Sequence, residues 1–251
     1  MLFSTLNKSP NFTEPTSPRR IKFIILHYTQ MKFEDALAKL CDENTDVSSH
    51  YLIHKNGEIY YLVDDEKIAW HAGRSEWSNT IELNSCSIGV EIDNSGGEKF
   101  TTEQMQSCIK LCKYLQDKHD IKSHNIIGHS DVAPHRKWDP GIFFDWDLLQ
   151  KNGIGISFIK PDSNMQNDII FSKNDSGAGI TKLQQNLKNI GYKIEITGVF
   201  DNQTNCVVRA FQSHFAQKSI LERGGVEYFQ KPNSDFPWDE FSNYILSTIK
   251  T

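Results

Sequence analysis

Apolar positions along this chain fall into short blocks whose period changes from block to block. Residues 21–26, Ile-Lys-Phe-Ile-Ile-Leu, are dominated by β-branched and aromatic side chains, the pattern of a central buried strand. The run ends at His27-Tyr28-Thr29. Phe33, Leu37 and Leu40 recur at helical spacing and predict a short helix over 33–43. Residues 48–54 read as a strand, Asn56-Gly57 as a hairpin turn and 58–63 as the returning strand. Ile88, Val90 and Ile92 alternate with Gly89, Glu91 and Asp93, so a further strand buries one face and presents Glu91 on the other. Gly89 leaves room beside Glu91 for another group. The clearest helix spans 101–119. Thr101 and Gln104 form a capping box with Phe100 as staple, and Met105, Cys108, Ile109, Cys112 and Leu115 make its sheet-facing stripe. A short strand over 125–127 leads into His129, and 143–150 reads as a closing helix. The order strand, helix, hairpin, strand, helix, strand predicts an α/β domain over 21–150, a mixed central β-sheet flanked by helices.

The pattern then changes. Residues 151–175 are polar and weakly periodic, which reads as a linker with a short strand over 168–171. From 176 to 251 a small helical domain is predicted. Ile180, Leu183, Leu187 and Ile190 line its first helix, which Gly191 ends, and Val207, Val208, Phe211 and Phe215 line its second. The last helix falls over 238–249. Such a segment is near the lower size limit for an independent core. At the other end, 1–20 is polar, carries Pro10, Pro15 and Pro18, and lacks the apolar core of a secretory signal. It reads as a flexible lead-in.

Composition removes several functions. The net charge of −5 and the absence of a long basic block argue against nucleic acid as partner. No apolar run approaches the roughly 20 residues of a membrane helix, so no membrane span is expected. Five cysteines without a C-x-x-C argue against a disulfide framework or a cysteine zinc site. Cys108 and Cys112 read as buried thiols on one helix face.

Candidate chemistry concentrates in 128–139, Gly-His-Ser-Asp-Val-Ala-Pro-His-Arg-Lys-Trp-Asp, a stretch with little helix or strand character. If His27, His129 and Asp139 converge, two imidazoles and a carboxylate with one open position make the ligand set of a catalytic zinc. Glu91 could then carry the proton of an attacking water. Lys137, two residues before Asp139, would point to the same side of an extended loop and stabilise an oxyanion. His50 and His54 share a strand face, as ligands or as sheet-edge partners, and neither is assigned to metal. Trp70-His71-Ala72-Gly73 suits a cleft wall, although Trp70 is equally suited to a core.

Several of these segments occur in a recognisable order. Leu26-His27-Tyr28-Thr29, Ser49-His50-Tyr51, Ala69-Trp70-His71-Ala72-Gly73, Ser87-Ile88-Gly89-Val90-Glu91 and Gly128-His129 through Pro140-Gly141 together resemble the zinc-dependent N-acetylmuramoyl-L-alanine amidases of the amidase-2 family. The resemblance spans 21–150. It implies Zn2+ on His27, His129 and Asp139, with Glu91 and Lys137 catalytic. It also suggests Tyr28, His50, Trp70, His71 and Asn84 as substrate-cleft candidates. Asp139 stands where phage members have Cys, which points to the bacterial branch, and His135 is expected near the site without being a ligand. Leu183-Gln184, Leu187, Gly191-Tyr192, Gly198, Phe200-Asp201, Thr204 and Phe211-Gln212 resemble the three-helix peptidoglycan-binding domain, with 223–237 as an insertion before the last helix.

The resemblance implies hydrolysis of the amide between N-acetylmuramic acid, or its anhydro form, and L-alanine, with peptidoglycan or muropeptide fragments as partners. A non-catalytic recognition module and a zinc peptidase acting within the stem peptide remain the alternatives. The binding domain favours the cell envelope or periplasm. The missing signal segment favours the cytoplasm.

Overall fold

The computed structural model describes residues 3–162 and 164–250. Strand β1 is Phe12–Thr13, β2 Phe23–Tyr28, β3 Tyr51–Ile53, β4 Ile59–Tyr61, β5 Ile68–Ala69, β6 Glu76–Trp77, β7 Thr80–Ile81, β8 Ser87–Ile92 and β9 Ile126–Gly128. Helix α1 is Phe33–Cys41, α2 Thr102–His119, α3 His129–Val132 and α4 Trp146–Lys151. The central sheet has the order β4-β3-β8-β2-β9. Only β4 runs antiparallel to its neighbour. This is the mixed sheet expected, with the hairpin strands β3 and β4 shorter than the runs that predict them.

Period-two alternation splits β2 and β8 between the two faces. Ile24, Leu26, Ile88, Val90 and Ile92 join Met105, Cys108, Leu111, Cys112 and Leu115 of α2 in one core. The α2 capping box forms as expected: Thr101 Oγ1 accepts from Gln104 N at 3.1 Å, and Gln104 Oε1 accepts from Thr101 N at 3.0 Å. Cys108 and Cys112 are buried free thiols.

The opposite face carries Phe23, Ile25 and Ile127. These share a second core with the C-terminal helices, α5 (Ala178–Ile190) and α6 (Asn202–His214), through Leu183, Leu187, Phe211 and Phe215. Strand β10 (Ile169–Phe171) pairs with β11 (Trp238–Asp239), and α9 (Glu240–Thr248) closes the chain. The residues between α6 and β11 form two further helices, α7 (Gln217–Leu221) and α8 (Gly225–Gln230). The stretch read as an insertion is therefore helical in part. It returns to the loop after β8: Gln230 Nε2 donates to the Gly96 carbonyl at 3.1 Å.

Two expectations are corrected. The N-terminal lead-in lies along the sheet. Ser9 Oγ donates to Leu40 O, β1 pairs with β5, and the Arg19 guanidinium donates to the carbonyls of Asp65 and Asn84 at 3.0 Å each. Its polar side chains satisfy loop carbonyls that the apolar pattern does not register. The segment after α4 buries Ile154, Ile156 and Phe158 between the two cores. Three apolar residues spaced by two were too few to stand out in a polar stretch.

Candidate metal and catalytic site

The site forms at the carboxyl ends of the parallel strands, where open α/β sheets leave room for ligands. Parallel pairing of β2 with β8 sets His27 beside Glu91, and pairing of β2 with β9 sets Leu26 beside Gly128, so His129 emerges next to His27. The stretch expected to lack regular structure begins with a single helical turn, α3. Its second N–H is tied back to Asp139, with Ser130 N donating to Asp139 O at 2.8 Å. Gly128 is required here, because a Cβ would lie 2.7 Å from Pro140 Cδ.

His27, His129 and Asp139 meet, all buried. His27 Nδ1 lies 2.8 Å from His129 Nδ1 and 3.0 Å from Asp139 Oδ2, and His129 Nδ1 lies 2.9 Å from the same oxygen. The surrounding bonds assign the tautomers. Ser87 Oγ donates to Leu83 O at 2.6 Å, so it accepts from His71 Nε2 at 3.2 Å. His71 Nδ1 is thereby an acceptor and takes the proton of His27 Nε2 at 3.1 Å. His129 Nε2 donates to Ala72 O at 3.2 Å. Both Nδ1 atoms are left bare, facing a carboxylate. Three lone pairs crowded into one buried point repel one another unless a cation sits among them, so these residues fit a metal ion.

Electrostatics agree. Burial, then His129, lower His27 to about 4, so it is neutral at pH 7. Burial pushes Asp139 up, but the two imidazoles beside it hold the carboxyl below its usual range, so it stands as a carboxylate. Burial, then the neighbouring imidazoles, keep His71 well below its ordinary value. Burial, then the charge of Asp139, push Glu91 well above the usual carboxylate range, with Lys137 pulling the other way. Glu91 Oε2 is sequestered without a hydrogen-bond partner among the described residues. A group in that state has the pKa and the free valence of a general base.

A cleft of about 270 Å³ opens over these groups. Tyr28, Trp70, His71, Glu91, His129, Lys137, Trp138 and Asp139 line it, with Lys39 and Leu40 of α1 on its far wall. Trp70 keeps its indole N–H on Thr13 Oγ1 at 2.9 Å, so the lead-in helps orient it. Tyr28 is packed closely by Gly96 and Gly141.

Two cleft candidates lie elsewhere. His50 is fully buried and occupied. Its Nδ1 accepts from Gly89 N at 3.0 Å, which leaves the proton on Nε2 to reach Lys67 O at 3.1 Å. Asn84 stands behind the cleft wall, where Oδ1 accepts from His71 N at 3.2 Å and Ala72 N at 2.7 Å. Both residues hold the backbone that carries the site. His135 is exposed and lines a separate cleft beside Arg74 and Lys193, away from the ligands.

Other contributors were not singled out from sequence. Arg136 Nη2 donates to the carbonyls of Ala72 and Arg74, tying the Trp70–Gly73 segment to the loop. Asp131 is buried and accepts from Gly128 N at 2.8 Å, Tyr192 Oη at 2.7 Å and His214 Nδ1 at 2.7 Å. Arg209 donates to the carbonyls of Pro134 and Lys137. The available signal was a cation and an imidazole placed among the apolar positions of one helix, between Val208, Phe211 and Phe215.

The Amidase_2 profile, described as N-acetylmuramoyl-L-alanine amidase, matches residues 17–142, and the PG_binding_1 profile, a putative peptidoglycan binding domain by its description, matches 176–218. N-acetylmuramoyl-L-alanine amidase AmiD of Escherichia coli is 35% identical over 213 residues, covering 78% of this chain and 75% of that protein. The structure of E. coli AmiD with anhydro-N-acetylmuramic acid-L-Ala-D-gamma-Glu-L-Lys superposes with a TM-score of 0.72 at 27% identity, covering 96% of this chain and 97% of that one. AmpDh3 of Pseudomonas aeruginosa in complex with anhydromuramic pentapeptide gives 0.69 at 25% identity, covering 99% and 98%.

Proposed function

The chain belongs to the Amidase_2 family and is an N-acetylmuramoyl-L-alanine amidase; we propose that it takes muropeptides, including those ending in anhydro-muramic acid, and that His27, His129 and Asp139 hold zinc beside Glu91 and Lys137 as its catalytic pair. The observation that carries this reading is the tautomer chain from Leu83 through Ser87 and His71. It leaves the His27 Nδ1 bare toward Asp139 and His129. Two imidazoles and a carboxylate are a zinc donor set. When bound there, zinc supplies Lewis acidity that polarises the scissile carbonyl and acidifies water.

The remaining work falls to the chain. Glu91 accepts the proton of the water that attacks the lactyl carbonyl carbon, then delivers it to the departing alanine nitrogen. Its raised pKa suits a group that must both take and return a proton. Lys137 presents its ammonium to the oxygen of the tetrahedral intermediate. Tyr28 and Trp70 form the walls against which the muramyl group and stem peptide rest. Asn84 and His50 act through the segments they hold. The peptidoglycan-binding match supports a site of action at the cell envelope. The anhydro substrates bound by AmiD and AmpDh3 support the substrate class.

The test is product analysis. Muropeptides with anhydro and with reducing ends are incubated with the zinc-loaded protein, with and without chelator, and the products are identified by mass. Chelator-sensitive release of an intact stem peptide with a free N-terminal alanine is expected from both forms. Cleavage inside the peptide would overturn the bond assignment. No cleavage by the loaded protein would leave a non-catalytic receptor as the better description.

A further inference from the structure

Arg209 lies on α6, in the helical region, yet its polar contacts are with the catalytic loop. Its side chain is buried. Nη2 donates to Pro134 O and, at 3.1 Å, to Lys137 O, and the guanidinium carbon lies 4.4 Å from the centre of the Trp138 ring. Among the described residues its hydrogen bonds go to carbonyls alone. A buried cation held by carbonyls and a ring face is costly, because burial opposes the charge and no carboxylate repays it. Apolar neighbours on the same helix show that a hydrophobic residue would suit the position by packing alone. The groups Arg209 holds lie between the two ligands His129 and Asp139.

Lys137 is the residue this arrangement constrains most. Its N–H donates to Ala133 O at 3.1 Å, and its carbonyl accepts from Arg209. With both backbone polar groups held, the point from which its side chain enters the cleft is set. The metal ligands do not depend on this clamp. Ser130 N holds Asp139 O, and Asp131 anchors α3 through Tyr192 and His214.

We infer that Arg209 is a positioning residue for amide hydrolysis: reaching out of the peptidoglycan-binding-like region, it clamps the Pro134 and Lys137 carbonyls so that Lys137 enters the cleft in its working direction. The helical region is thereby a structural part of the catalytic site. This inference rests on the role proposed above for Lys137.

The experiment measures kcat and KM on a defined muropeptide for Arg209→Leu, Arg209→Lys, Lys137→Ala and Arg209→Leu combined with Lys137→Ala, together with zinc stoichiometry and Tm. Arg209→Leu is expected to lower kcat by about tenfold to a hundredfold, the scale of a misplaced catalytic group, with KM little changed and zinc still bound one to one. Arg209→Lys, which retains a donor, is expected to recover part of the loss. In the Lys137→Ala background, Arg209→Leu should lower kcat no further, because the group it positions is gone. Effects that multiply in the double variant, a loss of zinc in the Arg209 variants, or an unchanged kcat in both would overturn the inference. If Arg209→Leu does not fold, Arg209→Lys alone and with Lys137→Ala completes the same cycle. Full turnover by Lys137→Ala would instead overturn the role of Lys137, a result distinguishable from a failed clamp, and would leave Arg209 nothing to position.

Discussion

Gly89 lies directly beneath the imidazole of His71: a methyl group at position 89 would sit 2.4 Å from His71 Cγ and 2.7 Å from its Nδ1. The absence of a side chain at 89 is what allows the His71 ring to accept the His27 Nε2 proton. Gly89→Ala is therefore expected to displace His71 and release His27 from its fixed tautomer. Second-layer partners of metal-bound histidines are worth about 10–100-fold in metal affinity. A loss of that size is expected in a chelator competition titration. An unchanged affinity would show that His71 does not orient His27.

Glu91→Gln is expected to abolish turnover and to stabilise the metal-free protein at neutral pH. The folded pKa of Glu91 lies above its unfolded value, so the folded state binds this proton more tightly. Its contribution to stability is full below the unfolded pKa, about 4.3, and is lost as pH rises through the folded pKa. At pH 7 the buried carboxylate is a liability, and a neutral amide removes it. Thermal melts of chelated protein should show a higher Tm for Glu91→Gln at pH 7, a difference that shrinks on acidification toward about 4.3. A variant that melts lower than the parent at pH 7 would contradict the raised pKa.

Metal removal should destabilise as well as inactivate. Without a cation, His27 Nδ1, His129 Nδ1 and Asp139 Oδ2 face one another at 2.8 to 3.0 Å. A ligand that binds only the folded state stabilises it by about 2.7 kcal/mol when present at about a hundred times its Kd. Zinc should therefore raise Tm in a concentration-dependent way, and His129→Ala should remove both the shift and the activity. A zinc-dependent shift that persists in His129→Ala would place the bound metal elsewhere.

Tyr192→Phe tests the contact between the helical region and α3. It deletes a buried hydroxyl that donates to Asp131 and leaves that carboxyl with Gly128 N and His214. The cost should be about 1–3 kcal/mol in urea unfolding, with zinc stoichiometry retained. A negligible change would mean that Asp131 finds another donor without strain.

Much of the site was legible because its chemistry rides on period and punctuation. Alternation in 87–92 put Glu91 opposite the buried isoleucines, and the run over 21–26 delivered His27 to a strand terminus. The capping box of α2 was likewise local, three residues apart. Residue types alone did not separate lining from support. His50 and Asn84 carry groups that suit a cleft, yet both are spent on backbone atoms, and only the neighbours of a side chain reveal that.

The sequence by itself determined the main strands and helices and the family-bearing segments, because these follow from spacing and order within one strand, helix or loop. Tertiary structure decided which imidazole nitrogens are bare, because tautomers are set by partners 44 and 57 residues apart, as between His27 and His71 and between His129 and Ala72. It also decided that the lead-in and the helical region are built into the catalytic half. Arg19 satisfies carbonyls 46 and 65 residues away, and Arg209 reaches carbonyls 75 and 72 residues back. Contacts between a side chain and distant backbone leave no periodic trace in a sequence, since every residue offers the same carbonyl.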